Sequence, residues 1–543
     1  MRLSMKHISL LLSLILLPLA AIAGKPAFLM EFDNRWDLSD GVPEKALLIS
    51  LQGVVNKDGP ELYFVYPPSW PWKITPAMRD FFTARHGFEF TELDDTAEAL
   101  EVLGDQASGY VVWDKEVRTS LIVAFTVAGL ENAVVVNEDL IPMAEAVGLK
   151  MVEDLRGDFR GMTDAEIYRD AYDLYWDRCS RDIIIWMGGA AGKRMEPGLA
   201  DYGIYRGAFF CDLSANPDDP EELALTRKVL SEQNPQSVVM GWHSYGKDTE
   251  GQLTSLVSSY RLKMEGLNSL PNISFHTQVP FTDDFRFRNH HNVKPDERVV
   301  PEAKVYISLI QTDSIGIGAW TKPGRGRIPY AWQVSMNWTW IAPCSIQYFT
   351  ESATPNDYFI GGLSGPGYMY PKPIPEEDFW PLMKEANRLM DLLDLRVMEI
   401  MDYSEGNRHV GNTDLDRDVV DRYYKAFPDV IGFINGYGSA RTFDLRDNRP
   451  MISYDYYLGL RRPVDEAVAD LRELIYLNPE RPYFLLVHVR ESTTIDRVAE
   501  ILEGLGDEAE VVPLDVFLKM AAEKPTFRKR YLQPEDPKDF NPY

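Results

Sequence analysis

Cysteine is scarce: Cys179, Cys211 and Cys344 are the three in 543 residues. An odd, widely spaced set gives no disulfide framework and no CxxC metal site. One internal pair, Cys179 with Cys211, and three buried free thiols both remain open. Basic residues are also short, 56 against 83 acidic ones, for a formal charge of -27. A surface of that sign repels nucleic acid and anionic membrane, so neither is an expected partner, and the same charge favours solubility. Beyond Leu19 no run approaches the roughly 20 apolar residues of a spanning helix. Several catalytic signatures are missing as well. There is no HExxH, and the adjacent His290 and His291 cannot easily turn both rings onto one metal. GGAAGK, residues 188–193, is one residue short of a phosphate loop and lacks the following Ser or Thr. Ser364 sits in GLSGPG, where Pro366 replaces the second glycine of a nucleophile elbow. None of these patterns calls for a cofactor, and none is expected.

Among the features present, the N-terminus comes first. Arg2 and Lys6 precede an apolar run from Ile8 to Leu19, and Ala21-Ile22-Ala23 follows as a small-x-small site. That is the layout of a cleaved secretory signal over residues 1–23. The expected product is an exported chain, periplasmic or secreted, starting near Gly24 and not inserted in a membrane after cleavage. Its length exceeds one compact core, so two domains are expected. Residues 24–159 alternate short apolar runs (ALLIS, ELYFVYPP, YVVWD, NAVVVN) with helical segments, the pattern of an N-terminal α/β domain with a largely parallel sheet.

Residues 160–543 repeat one theme, a β-rich run, a polar or glycine-rich loop, then usually a helix. The runs are DIIIWMGG, SVVMGWHS, ISFHTQ, VYISLIQTD, SIQYFTES, YFIGGLSG, RVMEIMDYSEG, VIGFINGYG, PMISYDYY and PYFLLVHVRES. DFWPLMKEANRLMDLLD, DRDVVDRYYKAF, VDEAVADLRELIY and TIDRVAEILEGL carry apolar residues at helical spacing. The class is therefore α/β, with a (β/α) barrel-like second domain, an open doubly wound sheet being the alternative. In either case ligands gather at the carboxyl ends of the strands.

The residues just past those runs are His243, Asp313, Glu351, Asp402, Glu405, Tyr437, Asp455 and Glu491. Carboxylates around one mouth, with flat rings beside them, suit glycoside chemistry. One carboxyl must be held protonated for the leaving oxygen, and another must be ionised to attack the sugar or activate water. The catalytic candidates are Asp313, Glu351, Asp402 and Glu491. Tyr and Trp outnumber Phe, 27 and 12 against 25, and such amphipathic rings suit wet sugar grooves as well as cores. Tyr368, Tyr370, His243, Trp320 and Tyr437 are the expected substrate-binding residues, and Trp332, Trp338 and Trp340 offer further platforms. Any single acid could equally be a loop cap or surface ion pair, and WQVSMNWTW a core segment. In TKPGRGR, Lys322, Arg325 and Arg327 could meet a sugar carboxylate or sulfate, or simply solvent.

Residues 365–371 read GPGYMYP. Two glycines and two prolines make a rigid turn, and its place after YFIGGLS puts Tyr368 and Tyr370 at the rim of the mouth. Here the sequence resembles the GxGYxYP family, bacterial exported proteins classed as glycoside hydrolases, matched at Gly365, Gly367, Tyr368, Tyr370 and Pro371. ATPNDYFIGGLSGPGYMYP (353–371) and LQGVVNKDGPELY (51–63) are also similar to it. The resemblance implies a smaller N-terminal α/β domain, a larger barrel-like C-terminal domain and carbohydrate-directed hydrolysis. One departure stands out. Where the family's strand ends in an acidic turn resembling Asp-Gly-Asp-Asn, this chain reads TDSIGIG and keeps Asp313 alone. That loss motivates an alternative, a non-catalytic glycan-binding protein on a hydrolase scaffold. A third reading is a metal-dependent carbohydrate deacetylase using Asp313 with His243 or His276.

Overall fold

The computed structural model describes residues 24–190, 193–311, 313, 319–405 and 413–532. The expected signal segment 1–23, Ala191 and Gly192 of GGAAGK, and all of TDSIGIG except Asp313 lie outside the described residues.

Four sheets succeed one another. Strands β1 (Lys25–Glu31), β2 (Leu62–Val65) and β3 (Phe88–Glu92) pair in the order 2-1-3. Strands β4 (Gly109–Val112), β5 (Ala133–Val136) and β6 (Met151–Asp154) pair in the order 5-4-6. Strands β7 (Ile183–Ala190), β8 (Phe209–Cys211), β9 (Val238–Tyr245) and β10 (Lys263–Glu265) pair in the order 10-9-7-8. All three sheets are parallel, as short buried strands joined by helices require.

The fourth sheet holds β11 (Val305–Gln311), β12 (Tyr330–Val334), β13 (Asp357–Gly361), β14 (Val397–Ile400) and β15 (Gly432–Asn435). It continues with β16 (Asp444–Arg446), β17 (Arg449–Ser453), β18 (Tyr456–Leu458), β19 (Tyr483–Val489) and β20 (Glu510–Val511). Its order is 16-17-15-14-13-12-11-19-18, with β20 beside β11, and every pair is parallel except β16 with β17. No ladder joins the two ends of this path among the described residues; the chain itself does. β17 leads into β18 through Tyr454 and Asp455 alone, and their amides bond in opposite directions, Tyr454 N to Asn435 O (3.2 Å) and Asp455 N to Leu486 O (2.9 Å). The run therefore leaves the flank of β15 and joins the flank of β19, giving the barrel-like wrap expected from the repeat.

The helices Glu376–Leu392, Arg417–Ala426, Val464–Leu477 and Ile495–Leu505 coincide with the four periodic segments, their apolar faces buried. Two other expectations fail. ISFHTQ is a short helix (Ile273–His276), and SIQYFTES belongs to a helix that starts on Pro343. DIIIWMGG and SVVMGWHS, counted above with the barrel runs, are β7 and β9 of the third sheet. Cys179, Cys211 and Cys344 are all buried free thiols, so the Cys179–Cys211 pair is not formed.

Buried amides fasten the first sheet to the third segment. Asn272 Nδ2 donates to Phe64 O (2.8 Å), its Oδ1 accepts from Phe64 N (2.9 Å) and Gln52 Nε2 (2.7 Å), and Asn56 Nδ2 donates to Ser274 Oγ (2.8 Å). Unmade, such buried bonds would each leave a desolvated polar group behind, so they hold the register of the two segments firmly. The loop after β2 carries Trp72 and Lys73 from this anchored edge towards the barrel mouth.

Candidate functional site

A cavity of about 720 Å³ opens between the carboxyl ends of the barrel strands and the third sheet. Its barrel wall is built around Asp313. Just past β11, this residue adopts a left-handed conformation (φ 63°) and donates its amide to Gln333 Oε1 of β12 (2.9 Å). Past β15, Tyr437 donates its hydroxyl to Asp313 Oδ2 (2.9 Å). Past β19, Arg490 lies 3.6 Å from Asp313 Oδ2 and pairs with Glu491 Oε2 at 2.7 Å. Arg490 thus stands between the Asp313 and Glu491 carboxyls. Burial is the main force pushing Glu491 up from the usual carboxylate range. Its neighbour Asp313 adds to the rise, and the Arg490 guanidinium opposes it.

A second layer supports this pair. Gln333 Nε2 donates to the carboxyl of Glu399 on β14, and Tyr454 Oη donates to Glu399 Oε1 (2.6 Å). Burial raises Glu399 to about 8 despite these donors. His488 lies under Tyr437 at 4.2 Å, edge to face, and its Nδ1 donates to Tyr437 O (2.5 Å). Burial lowers this imidazole to about 4, so it is neutral at physiological pH and orients Tyr437 without adding charge.

The opposite wall comes from the third sheet. Trp242 of β9 stacks on Tyr368 (6.0 Å, 14°). Glu265 ends β10, accepts from Asn337 Nδ2 (3.0 Å) and is raised to about 7 by burial. Trp72, beside Lys73, stacks on Trp338 (5.3 Å, 29°), and all three line the cavity.

GPGYMYP joins the two walls. Tyr368 and Met264 exchange both backbone bonds (2.8 and 2.9 Å), an antiparallel bridge from the barrel to β10. Tyr368 lines the cavity and donates its hydroxyl to Glu250. Tyr370 does not reach the cavity: it is fully buried, its hydroxyl 2.9 Å from that of Tyr368 and its amide bonded to Ser258 Oγ. The two tyrosines thus form a front and a back layer rather than a pair of rim residues.

Of the other expected residues, Asp313, Glu491 and Tyr437 meet at the mouth. Asp402 follows β14 but points inward, fully buried, accepting the amides of Lys372 and Ser404. Its neighbour Tyr403 lines the cavity instead. Glu351 ends a helix, and its carboxylate pairs with Arg85 at 3.1 Å on the protein's flank, so it is not a strand-end acid. His243 is buried against Tyr245 and Asp248, and only its neighbours Trp242 and Tyr245 line the cavity. Trp320 packs among Trp332, Phe349 and Phe359. Asp455 pairs with Arg530 inside the barrel, and His276 is buried beside Ser345. Trp340 lies outside the lining. Among the described residues, no group of three or more His, Cys, Asp and Glu side chains is arranged to hold a metal ion.

Sequence reading missed Glu265, Glu399 and Arg490. Arg490 was in plain view, immediately before Glu491. LKMEG, with an apolar residue, an acid and a glycine in a row, carries the signal of a strand end at Glu265.

Comparison with known proteins matches this organisation. Four family models cover successive segments: GxGYxYP_N 1st domain (29–104), GxGYxYP_N second domain (107–179), GxGYxYP third domain (181–278) and "GxGYxYP putative glycoside hydrolase C-terminal domain" (303–522). No curated protein matches the chain. A crystal structure of "a putative hydrolase" from Bacteroides thetaiotaomicron VPI-5482 shares the fold, with a TM-score of 0.74 at 18% identity over 92% of this chain and 96% of that one. With the motif bridging both walls of the cavity and the four models spanning every sheet, the chain belongs to the GxGYxYP family.

Proposed function

We propose that this protein is an exported glycoside hydrolase that cleaves an extracytoplasmic poly- or oligosaccharide at the Asp313–Glu491 pair. The observation carrying the reading is that these two carboxyls flank one guanidinium, that of Arg490, at the carboxyl ends of the barrel strands, with burial holding Glu491 towards its protonated form. Glu491 is the general acid, giving its proton to the leaving glycosidic oxygen. Asp313 is the ionised partner, steadied by Tyr437 Oη and the Arg490 guanidinium. Trp242, half-buried in the lining and stacked on Tyr368, gives the flat face against which a pyranose ring packs. The basic, then apolar, N-terminus supports export.

The test is release of reducing ends from a panel of plant, algal and host polysaccharides. Asp313→Asn and Glu491→Gln should each lower kcat by ~10²–10⁴, the contribution of a positioned acid, base or nucleophile, without unfolding the protein. Turnover within tenfold of wild type in both variants would refute the assignment. Retardation in a glycan-containing gel with no release from any substrate would instead support the binding-protein reading.

A further inference from the structure

Five cationic side chains line the cavity, and they divide sharply. Arg118 pairs with Asp212 (2.5 Å), Arg194 with Glu196 (2.5 Å) and Arg490 with Glu491 (2.7 Å). Lys73 and Lys322 have no carboxylate partner among the described residues. Each ammonium bonds a backbone carbonyl only: Lys73 that of Pro68, Lys322 that of Ser492 (2.5 Å). The other basic residues of TKPGRGR are occupied. Arg325 pairs with Asp357 and lies over Trp320, and Arg327 pairs with Asp496 and Glu503 on the surface.

The two lysines come from different segments and share one neighbourhood. Burial, then the charge of Lys73, holds the Lys322 ammonium below its usual range, while Glu491 pulls it the other way. Two like charges in one cavity, neither in ion-pair contact with a carboxylate among the described residues, are best satisfied by an anion that the ligand brings. Both lysines line the same cavity as Asp313 and Glu491, so an anionic substituent on a sugar held there would meet them.

We infer that Lys73 and Lys322 form an anion-recognition subsite, making the preferred ligand an acidic glycan whose sugar next to the Asp313–Glu491 pair bears a carboxylate or a sulfate. The inference rests on the glycoside hydrolase reading for the identity of the ligand. A lysine is a point charge with rotatable donors, so either anion suits it.

The experiment is calorimetric titration of the purified protein with three oligosaccharides of equal length: an oligogalacturonate, a sulfated galactan fragment and a neutral galactan fragment. One of the two anionic ligands should bind at least tenfold more tightly than the neutral one, and which one does identifies the anion. That preference should shrink as salt is raised. It should also collapse in the Lys73→Met/Lys322→Met double variant, with Lys73→Gln and Lys322→Gln as single-site versions should the double variant fail to fold. Equal affinity for all three, or a preference that survives every lysine substitution, overturns the inference. Reducing-end release is followed in parallel. Anion preference without hydrolysis removes the enzyme reading and keeps the subsite, whereas hydrolysis without anion preference does the reverse.

Discussion

Glu491 and Glu399 are both buried acids, yet pH should act on them differently. In the proposed reaction Glu491 is the proton donor and must be protonated, and burial keeps it so beyond the ordinary carboxylate range. The pH profile of kcat/KM should therefore stay high through neutrality and fall as pH rises through the raised pKa. Activity lost already above ~pH 5, where an unperturbed carboxyl has ionised, would exclude it as the acid. Glu399 speaks through stability. Its folded value of about 8 lies above that of an unfolded glutamic acid, so the folded state keeps the proton longer. The stabilisation is complete below the unfolded pKa and is lost as pH rises towards 8. Glu399→Gln should flatten the decline of Tm between pH 5 and 8, as thermal melts across that range would reveal. An unchanged slope would mean that other buried acids, such as Glu265 at about 7, dominate it.

GPGYMYP shows what an element can demand of its glycines. Neither Gly365 nor Gly367 has a positive φ; the left-handed residues of this loop are Leu363 (64°) and Ser364 (71°). The glycines are needed for close approach. A Cβ on Gly367 would lie 2.7 Å from Asn337 Nδ2 and 3.1 Å from Met264 O, and one on Gly365 would lie 2.6 Å from Met369 Sδ. Gly367→Ala should cost about 1–3 kcal/mol, the range for overpacking a filled core, read as a lower urea midpoint. It should also loosen the Tyr368–Met264 bridge. Asp313, Tyr437 and Glu491 were legible because each follows an apolar run that is indeed a parallel strand. Glu351 was misread because β-branched and aromatic residues in SIQYFTES imitate a strand, while Pro343, at a helix's first position, was the better guide. Glu265 escaped because β10 has three residues. Glu399 escaped because a strand buried on both faces shows no alternation to tell which side chains turn inward. Tyr370 could not be told from Tyr368, since which of two nearby rings faces a cavity depends on the partner sheet.

At the scale of the whole chain, charge and assembly dominate. With a net charge of -27, self-repulsion opposes the compact state. Raising salt from ~10 to ~150 mM shortens the screening length from about 30 to about 8 Å, so Tm should rise. Surface pairs such as Arg35–Asp33 weaken at the same time but contribute little. A falling Tm would show that ion pairs outweigh the net charge. The barrel-like wrap could be anticipated from the repeat of strand and helix; its seam at Tyr454 and Asp455 could not, because it depends on which neighbour each amide finds. The cavity, too, has no counterpart in any single stretch of sequence. Trp72 and Lys73 reach it from the first family segment, Trp242 and Glu265 from the third, Asp313 and Glu491 from the last. Part of what would select a ligand, Trp72 and Lys73, is thus inherited on a different stretch of the gene from the acid pair, whereas Lys322 travels with it. Relatives could exchange one diet for another by altering a distant loop while the acid pair stays as it is.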